Sequence, residues 1–317
     1  MKNIAKPTLK MLVGLPASGK SEYAKNQNEF FGDIVISSDA MRLELYGDET
    51  NQDNNKELFE LLHRRIKDEL LKGNSVVYDA TNINYKRRMA FLQELNNVEC
   101  KKICIIFATP YDECLRRNKA RKRVVPEEVI KRMMCEFWVP QYYEGWDKII
   151  IERSEQRSLY DLFNFGNADS PTPLYQVEQD NPHHGYTVGD HCFHCLKQII
   201  SIFPEPEVEL KLKRAALLHD IGKPFTKTYL NHRGEKTDIA HYYNHNNVGA
   251  YMSLNYGSLK HALKTSGYIN WHMRLYNIDN SKNPQKAKDK FCSLVGEEFY
   301  NSLMLLHKAD MCSQKLP

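Results

Sequence analysis

Short apolar runs recur through the first half of the chain: "TLKMLVG", "DIVISS", "SVVYDAT", "KICIIFA" and "DKIIIE". Between them stand segments whose apolar positions repeat at helical spacing, such as "NNKELFELLHRRIKDELLKG". Strands alternating with helices are the rhythm of a parallel sheet. Later in the chain the pattern changes. Apolar positions recur at helical spacing across 191–203, 208–219, 247–263 and 296–311, with little alternation, which predicts helices only. The stretch "NFGNADSPTPLYQVEQDNPHHG" between the two regions is rich in Asn, Pro, Gly and Asp and has no period, as a linker would. The pattern therefore predicts an α/β domain with a parallel sheet over residues 1–160, a linker over 161–182 and an all-α domain over 183–317.

Composition supports this division. A chain of 317 residues with 42% hydrophobic content exceeds the usual size of one domain and can fill two cores. Of twelve histidines, only His63 precedes residue 183, so the chemistry is expected to change where the pattern does. The net charge of +4 is small, but "LRRNKARKRVVPEEVIKR" at 115–132 carries eight Lys and Arg against two Glu, a local basic face. No signal-peptide run and no apolar stretch of membrane-spanning length is present, so a soluble, cytoplasmic protein is expected. The eight cysteines are scattered, and the one C-x-x-C, Cys192 to Cys195, has no second pair. Reduced thiols fit better than a zinc knuckle.

Gly14-Leu-Pro-Ala-Ser18-Gly19-Lys20-Ser21 fits G-x-x-x-x-G-K-[ST] and lies between a predicted strand and a predicted helix, the context such a loop needs. Loop amides and the helix N-terminus bind phosphate oxygens, Lys20 offsets their charge and the Ser21 hydroxyl can hold Mg²⁺. Ligands gather at the carboxyl ends of parallel strands. There the sequence offers Asp39 and Arg42 after the second strand, and Asp79 with Asn82, Arg87 and Arg88 after the third. Asp39 is a candidate general base beside a phosphate-gripping arginine, or a helix-capping carboxylate. Asp79 is a candidate for the Mg²⁺ shell, or a strand-end turn residue. Arg117, Arg121 and Arg123, ahead of the helix start at Pro126, form an arginine-bearing lid or a solvated charge run.

Taken in order over about residues 8–152, these pieces resemble the kinase domain of phage-type 5′-hydroxyl polynucleotide kinases. The resemblance implies an α/β P-loop kinase in which Gly14, Ser18, Gly19, Lys20 and Ser21 bind ATP and Mg²⁺. It makes Asp39 the general base, Arg42 the contact to the acceptor's phosphate, Asp79 the start of a D-x-T-N element and Arg121 the lid arginine, with Arg117 assisting nucleotide binding.

In the second half, "ALLHDIGKPF" sets His219 beside Asp220 at the end of an apolar helical run. An imidazole and a carboxylate from one turn can share a metal, and further ligands are on offer at His191, His245, His272 and Asp310. The order His, His-Asp, His, His, Asp in a helical domain resembles the HD-domain metal-dependent phosphohydrolases over about residues 183–313, particularly the HD domains attached to bacterial tRNA nucleotidyltransferases. By that resemblance His191, His219, Asp220 and Asp310 hold one metal, Asp220 being catalytic, while His245 and His272 serve a second metal or orient phosphate. His194, one turn after His191, competes with it for the first position. Mixed His and carboxylate ligands suit Mn²⁺, Fe²⁺, Co²⁺, Ni²⁺ or Zn²⁺. Lys223 is a candidate phosphate contact or a helix-end cap. His183, His184 and His241 receive no role.

The combined expectation is a bifunctional enzyme that heals nucleic-acid ends, RNA or DNA, phosphorylating 5′-hydroxyls with ATP and clearing 2′,3′-cyclic, 2′ or 3′ phosphates, with a separate ligase for sealing. Bacterial fusions of these modules place the HD part first, the reverse of the order here. Two rivals stand beside it: a small-molecule, nucleoside-type kinase joined to a nucleotide phosphohydrolase, and an HD hydrolase gated by ATP.

Overall fold

The computed structural model describes residues 6–182, 185–203 and 210–314. Each apolar run of the first half is a strand: β1 (Thr8–Val13), β2 (Ile34–Ser37), β3 (Val76–Asp79), β4 (Lys101–Ala108) and β5 (Lys148–Arg153). They form one parallel sheet in the order β2-β3-β1-β4-β5. Val76, Val77 and Tyr78 of β3 and Cys104 to Ala108 of β4 are all buried, because interior parallel strands are covered on both faces and read as continuous apolar runs. The helices between them are α1 (Lys20–Phe31), α2 (Ser38–Tyr46), α3 (Asn55–Leu71), α4 (Tyr85–Glu94) and α5 (Tyr111–Lys119). Leu58, Leu62, Ile66 and Leu70, at intervals of four, form the buried stripe of α3.

The remaining elements are α6 (Glu127–Cys135), α7 (Leu159–Asn164), α8 (Val188–Ile202), α9 (Leu210–Leu218), α10 (Lys223–Thr226), strands β6 (Thr228–Leu230) and β7 (Lys236–His241), then α11 (His245–Ser253), α12 (Leu259–Trp271), α13 (Arg274–Asp279), α14 (Pro284–Val295) and α15 (Glu297–Cys312). The predicted stretch 208–219 is seen as α9, and its residues 208 and 209 lie outside the described ones, as do His183 and His184. The stretch 247–263 is two helices, broken where Gly257 adopts φ 66° and Ser258 caps α12 by accepting from the Lys260 amide. The helical half also holds an antiparallel β6–β7 hairpin, a strand pair that the helical periodicity did not predict.

The chain forms two compact units that interleave in sequence. Among the described residues, one comprises those up to Thr109, Glu113–Val125 and Pro140–Ser154; the other comprises Pro110–Asp112, Pro126–Val139 and those from Glu155 on. Residues 161–182, expected as a linker, are folded parts of the second unit. Leu162, Phe163 and Leu174 are buried, and Asn167 Oδ1 accepts from the amides of Asp169 (2.8 Å) and Ser170 (3.3 Å). The turn-forming residues that read as a linker here satisfy the backbone of an ordered loop. Residues 126–139, expected within the first domain, likewise belong to the second unit.

One buried ion pair fixes the turn that follows β3. Asn82 has φ 48°, its side chain donates to Leu12 O (2.9 Å) and its carbonyl accepts from Arg88 Nη1 (2.8 Å). The fully buried Arg88 makes a two-point pair with Glu144 at 2.7 Å, and Trp146 Nε1 donates to the same carboxylate at 3.1 Å. Removing one partner strands a charge in a dry site, so Glu144→Ala is expected to cost about 3–5 kcal/mol. Chemical denaturation of the P-loop unit checks this; a loss under about 1 kcal/mol would show the guanidinium to be hydrated.

Candidate functional site

In the α/β unit the phosphate loop runs between β1 and α1. Gly19 (φ 105°) and Ala17 (φ 61°) supply its left-handed turns. Gly14 has no room for a side chain, since a Cβ would fall 2.6 Å from Ser18 Oγ and 3.0 Å from Phe107 Cβ. The Gly14 amide donates to Thr81 O at 3.1 Å, tying the loop to the turn after β3. Lys20 is buried and donates to the carbonyls of Gly14 (3.0 Å) and Leu15 (2.7 Å). Burial pulls its pKa down to about 8 despite Asp79. Asp79, at the end of β3, is buried and pushed above the usual carboxylate range by burial, while Lys20 and a hydrogen bond with Ser21 oppose the shift. Ser21, Asp39, Glu49, Asp79 and Arg121 line one cavity of about 710 Å³.

Asp39 stands in the first turn of α2, whose N-cap is Ser37, so it is not the capping residue. Arg42 Nη1 lies 3.0 Å from its Oδ1 and Arg123 Nη1 lies 3.2 Å from its Oδ2. Arg42 is only 6% exposed and also donates to Asn55 Oδ1 at 2.8 Å. It therefore braces Asp39, whereas the more exposed Arg123 also faces Glu49 at 3.8 Å. Arg117 is tied to Glu113 and reaches the phosphate loop, where a Cβ on Gly19 would lie 3.9 Å from its Nη1.

The second unit gathers its six predicted ligands from separate elements: His191 on α8, His219 and Asp220 in the turn after α9, His245 at the start of α11, His272 at the end of α12 and Asp310 on α15. All six are buried. They form two groups that could each hold a metal, His191–His219–Asp310 and Asp220–His245–His272. Asp220 joins them. Its Oδ2 is 3.3 Å from His191 Nε2 and 3.4 Å from His219 Nε2, while its Oδ1 is 3.2 Å from His245 Nε2 and 3.7 Å from His272 Nε2. Asp310 Oδ1 lies 3.0 Å from His191 Nε2.

Every ring turns its Nδ1 to a backbone carbonyl: Ser313 (3.3 Å), Ala216 (2.8 Å), Tyr242 (2.7 Å) and Ile269 (2.8 Å) for His191, His219, His245 and His272. With the hydrogen on Nδ1, each Nε2 presents a lone pair inward. The Nε2 atoms face each other at 3.1 Å within both pairs, His191–His219 and His245–His272. Opposed lone pairs repel unless a cation sits by them, so the donor set fits divalent metal. Burial pulls His219 down, but Asp220 and Asp310 more than offset it and raise it to about 9, so the proton this ring holds between the two carboxylates must leave when a metal takes its place. Burial, with His245 and His219 alongside, drives His272 to about 3.

His194 is not part of the cluster; it stacks on Tyr186 at 4.5 Å. His241 stacks on Tyr243. Lys223 is buried rather than a surface cap, 2.6 Å from Asp220 Oδ2 and 2.6 Å from Gln179 Oε1. Cys192 and Cys195 are buried free thiols, pushed well up by burial, and join no ligand group among the described residues. Three residues escaped the sequence reading: Asn55, Gln179 and Tyr276, whose hydroxyl donates to Asp310 Oδ2 at 3.0 Å. Each is bonded to a candidate site residue, Arg42, Lys223 and Asp310 in turn, and no local motif marks it.

Residues 9–140 match the family model described as AAA domain, and residues 188–314 the one described as HD domain. The L-seryl-tRNA(Sec) kinase of Methanococcus maripaludis is 27% identical over 183 residues, covering 54% of this chain and 69% of that protein. The adenylate kinase of Thermosipho melanesiensis is 26% identical over 149 residues, 47% of this chain and 59% of that one. Among solved structures, a chain of the Pnkp1/Rnl/Hen1 RNA repair complex aligns with TM-score 0.36 and 20% identity, over 43% of this chain and 46% of its own. A gluconokinase from Sinorhizobium meliloti aligns with TM-score 0.36 and 16% identity, over 48% and 85%. No helix among the described residues is long and apolar enough to cross a membrane.

Proposed function

We propose that this chain, which joins an AAA-type P-loop kinase-like domain to an HD domain, heals nucleic-acid ends: it phosphorylates a 5′-hydroxyl with ATP and removes a 2′,3′-cyclic, 2′ or 3′ phosphate. The observation that carries the kinase half is Asp39, held between Arg42 and Arg123 in the cavity that Ser21, Asp79 and Arg121 also line. A carboxylate so placed accepts the proton of an attacking hydroxyl as its oxygen bonds to the γ-phosphorus and ADP departs. The loop amides, Lys20 and Arg121 bind the donor phosphates, and Arg123 meets the phosphate of the acceptor. Ser21 and Asp79 would hold Mg²⁺, which would offset phosphate charge when bound.

In the HD domain, His191, His219, Asp220 and Asp310 would hold one divalent metal, with Asp220, His245 and His272 holding a second. Such metals lower the pKa of water and offset phosphate charge. The protein's part is to aim four lone pairs through fixed Nδ1–H donors and to set Lys223 beside Asp220, where it can pair with a phosphate oxygen. Water attacks phosphorus, the ester P–O bond breaks and the sugar oxygen leaves as a hydroxyl.

Nucleic acid as acceptor is supported by the basic 115–132 stretch and by the name of the archaeal relative, a kinase of an RNA-attached group. The likeness to an adenylate kinase favours the small-molecule reading. Salt separates the two. With a 5′-hydroxyl oligonucleotide and labelled ATP, KM for the acceptor is expected to rise at least about tenfold between 50 and 200 mM salt, because counterions are released on binding. Label transfer to nucleosides alone, insensitive to salt, would remove the nucleic-acid reading.

A further inference from the structure

The ends of α11 and α12 that bear His245 and His272 are held from behind by a segment far away in sequence. Asn247 Nδ2 donates to Cys135 O (2.9 Å), and the Val139 amide donates to Asn270 Oδ1 (2.9 Å). Asn270 Nδ2 reaches Asn247 Oδ1 (3.0 Å) and Phe137 O (3.4 Å), and Asn246 Nδ2 donates to Asn270 O (2.6 Å). Asn247 and Asn270 are 4% and 2% exposed. Rings close over the network, Phe137 on Tyr251 and Trp138 on Trp271, each pair at 4.5 Å.

We infer that Asn247 and Asn270 are positioning residues for the His245–His272–Asp220 metal group, acting through the backbone of residues 135–139. Each asparagine lies two residues from a ligand histidine on its own helix. Two helical steps turn about 200°, so the amide faces outward to 135–139 while the imidazole faces inward. The Asn247–Asn270 bond joins the two helix ends, and with it the separation of the two Nε2 atoms. Buried amides are tolerated only when bonded, and 135–139 supplies those bonds. The other metal group rests on α8, the turn after α9 and α15, so its geometry does not depend on this network. A piece of chain that the AAA-domain match covers is thus a working part of the HD centre.

The inference rests on the two-metal reading above, and the test separates their failures. Full-length metal-free protein is titrated with Mn²⁺ and bound ions are counted, with His272→Ala marking which binding step belongs to the second group. Asn270→Ala is expected to weaken that step about 10-fold or more, as outer partners of metal ligands do, and to leave the other within twofold. Val139→Pro removes the amide that Asn270 Oδ1 accepts without touching the asparagine, and is expected to shift the same step. It also keeps the test open should Asn270→Ala not fold. If the wild type binds two ions and folded variants leave both steps unchanged, or weaken both alike, the positioning role is overturned while the two-metal reading survives. A wild type that takes up a single ion overturns the two-metal reading, and this inference with it.

Discussion

Asp220→Ala is expected to remove metal from both groups at once and to lower phosphate release by roughly 10³-fold or more, leaving phosphoryl transfer from ATP within about twofold. Asp220 is the residue whose two oxygens divide between the groups, Oδ2 toward His191 and His219 and Oδ1 toward His245 and His272. Removing it leaves four imidazoles with one remaining carboxylate, Asp310, and takes away the carboxylate that the buried Lys223 pairs with. Loss of several kcal/mol of charge stabilisation at phosphorus corresponds to that rate factor. The affinity loss should exceed the 10–100-fold typical of outer partners. Asp310→Asn is the control, because the imidazoles it contacts are His191 and His219; it should weaken one ion and spare the other. Metal counting and phosphate release from a 3′-phosphorylated oligonucleotide check both variants. Release unchanged by Asp220→Ala would remove the HD centre from the hydrolytic role.

The features legible in the sequence are those whose cause is local. A phosphate loop is contiguous, so Gly14 to Ser21 could be read outright. The interior strands could be read because a strand covered on both faces is a near-continuous apolar run, as in residues 103–108. The histidines that cluster around Asp220 were nameable from their order, but the choice between His191 and His194 was not, since residues three apart lie on the same side of a helix. Packing separates the two: His191 is fully buried beside Asp310, and His194 lies against Tyr186.

What failed to show was whatever depends on distant segments meeting. Arg88 and Glu144 are 56 residues apart, and neither is unusual in its own neighbourhood. The interleaving of the units was hidden for a similar reason: 126–139 has an ordinary helical pattern, and its membership is set by Phe137, Trp138 and the backbone groups that Asn247 and Asn270 bind. The expected linker misled because Asn, Pro and Gly mark turns whether or not the turn is packed.

The kinase half stands or falls on a second variant. Asp39→Asn is expected to lower kcat for transfer to a hydroxyl acceptor by about 10²–10⁴-fold, the contribution of a positioned general base, with KM for ATP within about twofold. The separation follows from the geometry. Lys20, Ser21 and the loop amides, the proposed donor site, are untouched, and asparagine keeps the oxygen that Arg42 holds while removing the negative charge that a general base needs. Arg42→Lys should fall between wild type and Asp39→Asn, because a lysine cannot bridge Asp39 and Asn55 with two separate nitrogens as the guanidinium does. Arg123→Ala should raise KM for the acceptor rather than lower kcat, since that residue is assigned to acceptor phosphate. Initial rates at varied ATP and varied oligonucleotide read all three. Undiminished transfer by Asp39→Asn would strip the carboxylate of its role. If ATP is bound by the wild type but transferred to no acceptor, while its presence alters phosphate release, the P-loop is a sensor that gates the HD centre.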